Sequence, residues 1–147
     1  MKSGADVGGE RSDLSVALEY VAALGGDDPE RVTDLVAEGF RNEHHAELGS
    51  GCVGRDEYAS RLPGFFSSFP NRRYEVTETS VGTLIGDARD GAEVIVRYRF
   101  GADVGEHRID IPGVMWISVR DGLVTRRLDC WDSLTFFRQT ETTPPPG

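Results

Sequence analysis

"GVMWISVRDGLVTRRLDCWDSLTFFRQ", residues 113–139, decides how the rest of the chain is read. Its first half alternates β-branched and aromatic residues, Arg120-Asp121-Gly122 is a turn, and its second half alternates again before an amphipathic tail. The length of the turn sets which side chains share a face. A two-residue Asp-Gly loop pairs Arg120 with Leu123 and puts Trp116 on the face of Asp129. A three-residue loop, with Gly122 in the left-handed position of a bulge, pairs Val119 with Leu123. The second reading is preferred, because it gathers Met115, Ile117, Val119, Leu123, Thr125, Arg127, Asp129 and Trp131 on one side, with Arg127 and Asp129 as polar exceptions. A mostly apolar concavity with a few convergent polar groups is what a small-molecule site needs.

Asp129 is the residue this arrangement singles out. A carboxylate on such a face must be paired, hydrogen-bonded or held protonated, and each arrangement also makes a general acid or base. The alternative is an Asp paired with Arg127 or Arg99 purely as structure. Asp132, near the strand end, reads as the cap of "SLTFFRQ".

Working outward, "RRYEVTETSVGTLIG", "AEVIVRYRFGADV" and "HRIDIPGVMWISVR" are strand-like runs separated by Gly/Asp turns such as "GDARDG". Before Pro70 the period is helical. "SDLSVALEYVAALGG" repeats Leu14, Ala17, Leu18, Val21 and Leu24 between an Asp13 cap and a Gly25 stop, and "DDPERVTDLVAEGF" opens on Asp28 as N-cap with Pro29 at the first helical position. A third helix is predicted from Arg55 to about Phe66, broken near Pro63-Gly64. Helices first and an antiparallel meander after them mean α+β, with the helices on one face of a curved sheet. Residues 1–11 and 140–147 are expected as flexible tails around a single domain at 12–139.

The formal charge of −9 and pI near 4.8 argue against a nucleic-acid or anionic-membrane partner. No run approaches a membrane span or a signal-peptide core, so a soluble, cytoplasmic chain is expected. Of its 16 basic residues only Lys2 is a lysine, a bias that suggests a GC-rich bacterial source. Cys52 and Cys130 lie in different contexts and read as two reduced thiols; no cofactor or metal is expected.

These residues carry a resemblance. The 113–139 stretch resembles the last hairpin of nuclear-transport-factor-2-like proteins, in particular the SnoaL-like polyketide cyclases and limonene-epoxide hydrolases. "FRNEHHAELGSGCVGRDEYASRL" is similar to their short strand, loop and third helix. The resemblance implies a cone-shaped barrel, with a strongly curved mixed sheet wrapped around three helices and enclosing one pocket. It implies Asp129 as acid/base and Asn42 as a holder of a hydrolytic water. Phe40 stands where the hydrolases have a Tyr, Arg97-Tyr98-Arg99 replaces their Arg-x-Asp, and Met115 occupies the position of a cyclase His. Ketosteroid isomerases, on the same fold, use a Tyr and a protonated Asp, and no such pair is identified here.

His44 and His45 point in different directions, so at most one faces the pocket mouth; it either lies in a solvated loop or pairs with Asp129. The cluster of Glu43, His44, His45 and Glu47 lacks metal-ligand spacing, and His107 reads as surface. Tyr20, Tyr58, Tyr98 and Trp116 could each line a cavity, and Tyr20 and Tyr58 are assigned to packing. Val114, Trp116, Leu128 and Cys130 would form an apolar outer face, closed most economically by a homodimer through the sheet. The expected site is Asp129 as catalyst, with Asn42, His44, Tyr98, Arg99, Met115, Arg127 and Trp131 around a small hydrophobic molecule. The expected function is cyclisation, isomerisation or epoxide hydrolysis of a polyketide-like or terpenoid compound, with a non-catalytic ligand carrier or an interaction module as alternatives.

Overall fold

The structure, a computed structural model, describes residues 12–45, 51–83 and 92–143. The expected tail at 1–11, Glu47, the "GDARDG" turn and residues 144–147 lie outside the described residues. Three N-terminal helices, α1 (Asp13–Leu24), α2 (Pro29–Thr33) and α3 (Arg55–Ser68), accompany strands β1 (Val36–His44), β2 (Cys52–Val53), β3 (Arg73–Gly82), β4 (Ala92–Val104), β5 (His107–Arg120) and β6 (Leu123–Trp131). A last helix, α4 (Ser133–Thr140), follows. The strands form one sheet in the order β2-β1-β6-β5-β4-β3, antiparallel except where β1 runs parallel to β6. The fold is α+β with a mixed sheet, as expected, and among the described residues the sheet keeps two edges, β2 and β3, rather than closing by hydrogen bonds.

Local boundaries differ from the sequence reading where tertiary pairing outweighs propensity. Ser12, not Asp13, caps α1 by accepting from the Ser15 N–H at 3.0 Å. Asp28 caps α2 as predicted, but the helix stops at Thr33. The following "LVAEGF" is drawn into β1, where the Val124 N–H bonds the Leu35 carbonyl at 2.8 Å and Val36 pairs with Val124. The third helix runs through Pro63 to Ser68. Its last turn is held by aromatic packing of Phe65 and Phe69 on Phe100, and by Arg72, whose guanidinium carbon lies 3.5 Å from the centre of the Phe66 ring. The same guanidinium donates to the carbonyls of Leu24, Gly26, Phe66 and Phe69, so one side chain satisfies the C-terminal ends of both α1 and α3. At the other end Asp132 caps α4, accepting from the Thr135 N–H at 3.1 Å, as expected. Thr140, assigned to a tail, is instead the buried last residue of α4. The Gln139 carboxamide bonds both the N–H and the C=O of Asp110, continuing the β5 ladder where β6 has ended.

The deciding hairpin takes the turn that was not preferred and still reaches the preferred faces. Arg120 pairs with Leu123 across a two-residue loop in which Asp121 and Gly122 have φ of 54° and 79°. Val119 then pairs with Val124, but Ser118 pairs with Arg126, so Thr125 is an extra residue. That bulge flips the alternation. Arg127, Asp129 and Trp131 turn inward opposite Ile117, Met115 and Gly113, while Trp116 faces out opposite Leu128. Leu123, expected inside, is exposed as a result.

Candidate functional site

The inward rows of the sheet bring the site together. Parallel pairing of β1 with β6 sets Asn42 beside Arg127 and His44 beside Asp129. Helices α1 and α3, the inner face of the sheet and α4 enclose a cavity of about 360 Å³. One part of its wall is apolar and aromatic: Leu62, Phe65, Phe69, Tyr74, Phe100, Ile111, Trp131 and Phe136. The polar part consists of Asn42, His44, Tyr58, Tyr98, Arg127 and Asp129, with Arg61 also in the wall.

Asp129 is 4% exposed and has a partner on each oxygen: the Tyr98 hydroxyl donates to Oδ1 at 2.6 Å and Arg127 donates to Oδ2 at 2.8 Å. Arg127, 6% exposed, uses the rest of its fork on the Asn42 amide oxygen at 3.1 Å and the Met115 sulfur at 3.4 Å. Burial is the largest single influence on Arg127 and works against its charge, but the Asp129 carboxylate, with Tyr20, Tyr74 and Tyr58 adding to it, more than offsets that, so the guanidinium is held above its ordinary pKa. Burial, reinforced by the charge of Asp129, pushes the Tyr98 hydroxyl well above the usual phenol range, which keeps it a proton donor. His44 is pushed down to about 4, first by burial and then by Arg127, with Asp129 only partly opposing. Its imidazole is therefore neutral near pH 7, and its Nδ1 is buried with no hydrogen-bond partner among the described residues.

Several expected residues do meet on this wall: Asn42, His44, Tyr98, Arg127, Asp129 and Trp131. Two do not. Arg99 is on the opposite side of β4 from Tyr98, half-exposed and paired with Asp110 at 2.9 Å, because the alternation that turns Tyr98 inward turns Arg99 outward. Met115 is fully buried beneath Arg127 and supports the guanidinium from behind the cavity wall. Phe40 is sealed between the rings of Tyr20 and Tyr58. His45 is exposed, and only its backbone N–H reaches the Asp129 carbonyl, at 2.8 Å. Cys52 and Cys130 are both free thiols. Among the described residues no group of His, Cys, Asp or Glu is arranged to hold a metal ion.

Sequence reading passed over Gly113. It pairs with Tyr98 on one side and Trp131 on the other, and a Cβ built there would overlap the hydroxyl and ring of Tyr98. The missing side chain is what lets the Tyr98 ring lie across β5 and reach Asp129 on the strand beyond. The signal available was a glycine inside an otherwise β-branched run.

Two outcomes follow from this geometry. Gly113→Ala displaces Tyr98 from Asp129 and lowers stability by about 1–3 kcal/mol in urea unfolding; an unchanged midpoint would show that the close approach is not needed. His44 should titrate near 4 by NMR against 6.5 for a free imidazole. Between those values the unfolded chain binds a proton that the folded one refuses. Stability is therefore full above about pH 6.5 and falls as the pH drops towards 4, and His44→Gln should flatten that part of a Tm–pH curve.

Comparison with known proteins gives this geometry its relatives. The family model described as SnoaL-like domain matches residues 17–127. No curated protein sequence matches the chain. Among solved structures, a hypothetical protein of Catenulispora acidiphila DSM 44928 with a ketosteroid isomerase-like fold, in complex with trimethylamine, has a TM-score of 0.75 at 16% identity, over 92% of this chain and 100% of that one. A protein of Jannaschia sp. CCS1 described as a SnoaL-like polyketide cyclase has a TM-score of 0.69 at 19% identity, over 93% and 100%. An LEH-like epoxide hydrolase of M. tuberculosis has a TM-score of 0.67 at 18% identity, over 85% and 86%. At these identities the structures share the fold, and the fold alone. The family match extends from α1 to Arg127, the residue that anchors the polar wall, and by it the chain belongs to the SnoaL-like domain family.

Proposed function

We propose that the protein binds a small, largely apolar molecule and carries out acid/base chemistry on it, with Asp129 as the acid/base. The observation that carries this reading is one buried carboxylate, fixed by Tyr98 and Arg127, on the wall of an otherwise aromatic cavity. Each carboxylate oxygen keeps a second lone pair beyond the bond it already accepts, so Asp129 can still take a proton from a ligand. Neutral His44, its register partner, is a second proton acceptor on the same wall.

Of the three reactions expected, cyclisation and isomerisation fit best. Both can proceed by moving a proton at carbon, which one positioned base performs. Epoxide opening in the two-carboxylate manner needs a second acid, and Asp129 is the one carboxylate lining the cavity among the described residues. A polyketide-like or terpenoid substrate from bacterial natural-product metabolism agrees with the aromatic wall, and solved structures of this fold include proteins described as polyketide cyclases. A binding role without turnover is favoured by one observation: both oxygens of Asp129 are already engaged.

The outer face of the sheet supports a second part of the proposal. Ile95, Trp116 and Leu128 form a half-buried apolar row across β4, β5 and β6. A second copy of the chain, packed face to face, would cover that row.

With a bound ligand in hand, turnover by the native protein should fall about 10²–10⁴-fold in Asp129→Asn while affinity changes little; an unaffected rate would refute the assignment, and a ligand that both proteins bind and neither converts would favour the carrier. In sedimentation velocity the native chain should be a dimer and Trp116→Glu a monomer, and a monomeric native chain would sink the face-to-face arrangement.

A further inference from the structure

Two tyrosines, read from the sequence as packing, meet beside the cavity. The hydroxyls of Tyr20 on α1 and Tyr58 on α3 lie 2.6 Å apart, next to the sealed ring of Phe40. Both are buried, but they differ in what lies beyond. Tyr58 lines the cavity, whereas Tyr20 does not and is 0% exposed.

Counting protons decides the direction of the bond between them. Each hydroxyl brings one proton and the pair makes one hydrogen bond, so one proton is left over. If Tyr58 donated, the surplus proton would sit on Tyr20 in the closed core, where among the described residues no second acceptor reaches it. A buried donor without an acceptor is the arrangement that folded proteins avoid. If Tyr20 donates, the surplus proton belongs to Tyr58, the one of the two residues that lines the cavity. Burial raises the pKa of both hydroxyls, so both keep their protons.

The other polar groups of the wall are spoken for in a complementary way. Asp129 is matched by Arg127, and Arg61 by Glu57 at 3.0 Å, so no charge in the wall is left uncompensated. The Asn42 oxygen is taken by Arg127, and His44 is a neutral acceptor. The cavity therefore suits a neutral guest, and the about 360 Å³ it offers suits a compact one.

We propose that Tyr58 is the specificity residue of this cavity: it donates a hydrogen bond to an oxygen on the ligand, with Tyr20 holding its proton in that direction. The ligand class is then a compact, neutral, largely apolar molecule of one or two rings carrying a carbonyl or ether oxygen. This rests on the cavity being a small-molecule site. Tyr58 had no place in the expected chemistry, and Tyr20 acts only through it.

The test compares 1-tetralone with tetralin, which has the same rings without the oxygen, by calorimetry on the full chain. The ketone should bind about tenfold tighter than the hydrocarbon, as one neutral hydrogen bond provides. Tyr58→Phe should abolish that preference while leaving tetralin within about twofold, and Tyr20→Phe should weaken it. Both variants keep the rings packed on Phe40. Independently of any variant, the carbonyl stretch of bound 1-tetralone should move to lower frequency than in hexane. A preference that survives in Tyr58→Phe, an unshifted stretch, or tetralin binding as well as the ketone overturns the Tyr58 inference alone. If neither probe binds the native protein, the small-molecule reading falls with it.

Discussion

The buried guanidinium of Arg127 is the group on which the polar half of this protein depends. A cation in the core is tolerated only when it is paired and hydrogen-bonded, and each of the three nitrogens here has a partner, drawn from three strands: Asn42 on β1, Met115 on β5 and Asp129 on its own strand. Those contacts fix more than a charge. They orient the Asp129 carboxylate and leave the Asn42 amide nitrogen as the group that residue can offer to the cavity, while the guanidinium charge adds to burial in lowering the proton affinity of His44 nearby. Tyr98 completes the frame from β4, across the gap that Gly113 leaves. Inside the sheet, position and protonation are thus set together.

The aromatic half is organised by a second arginine used in a different way. Arg72 is only partly buried, and its bonds go to backbone carbonyls at the ends of α1 and α3 rather than to a carboxylate. By joining the helix ends, with its guanidinium on the Phe66 ring, it holds Phe65 and Phe69 against Phe100, and so shapes the apolar wall. One arginine secures the chemistry and the other the container. Removing the first leaves a buried carboxylate without its counter-ion, while removing the second leaves helix carbonyls unmet.

Much of this was legible in the sequence because periodicity is local. The strands after Pro70, the caps at Asp28 and Asp132, and the inward placement of Arg127, Asp129 and Trp131 all follow from alternation and turn chemistry. The inward placement was reached for the wrong reason: a bulge at Thr125, within the strand, does what the loop was expected to do. Arg99 was placed in the site although Tyr98 beside it must face the other way, so strict alternation would have excluded it. What could not be read was long-range. The parallel pairing of β1 with β6, which takes "LVAEGF" from a helix and sets His44 against Asp129, is invisible to any window of neighbouring residues. The same holds for the Tyr20–Tyr58 contact, between helices 38 positions apart.

The pairing of Asn42 with Arg127 spans 85 positions, and it has a bearing on how the protein reaches its native state. Contacts so distant in sequence close large loops and belong to slow, topology-limited folding. Until β6 is laid between β1 and β5, Arg127 lacks Asn42 and Met115, His44 lacks its neighbour, and the cavity lacks the wall that Trp131 and Phe136 supply. A chain with only the β3–β5 meander and the helices in place would hold Tyr98 and Tyr58 but lack Arg127 and Asp129. The Arg127–Asp129 pair meets Asn42 and Met115 only when one strand is laid between β1 and β5, so binding of a ligand that needs this pair would report the placement of β6.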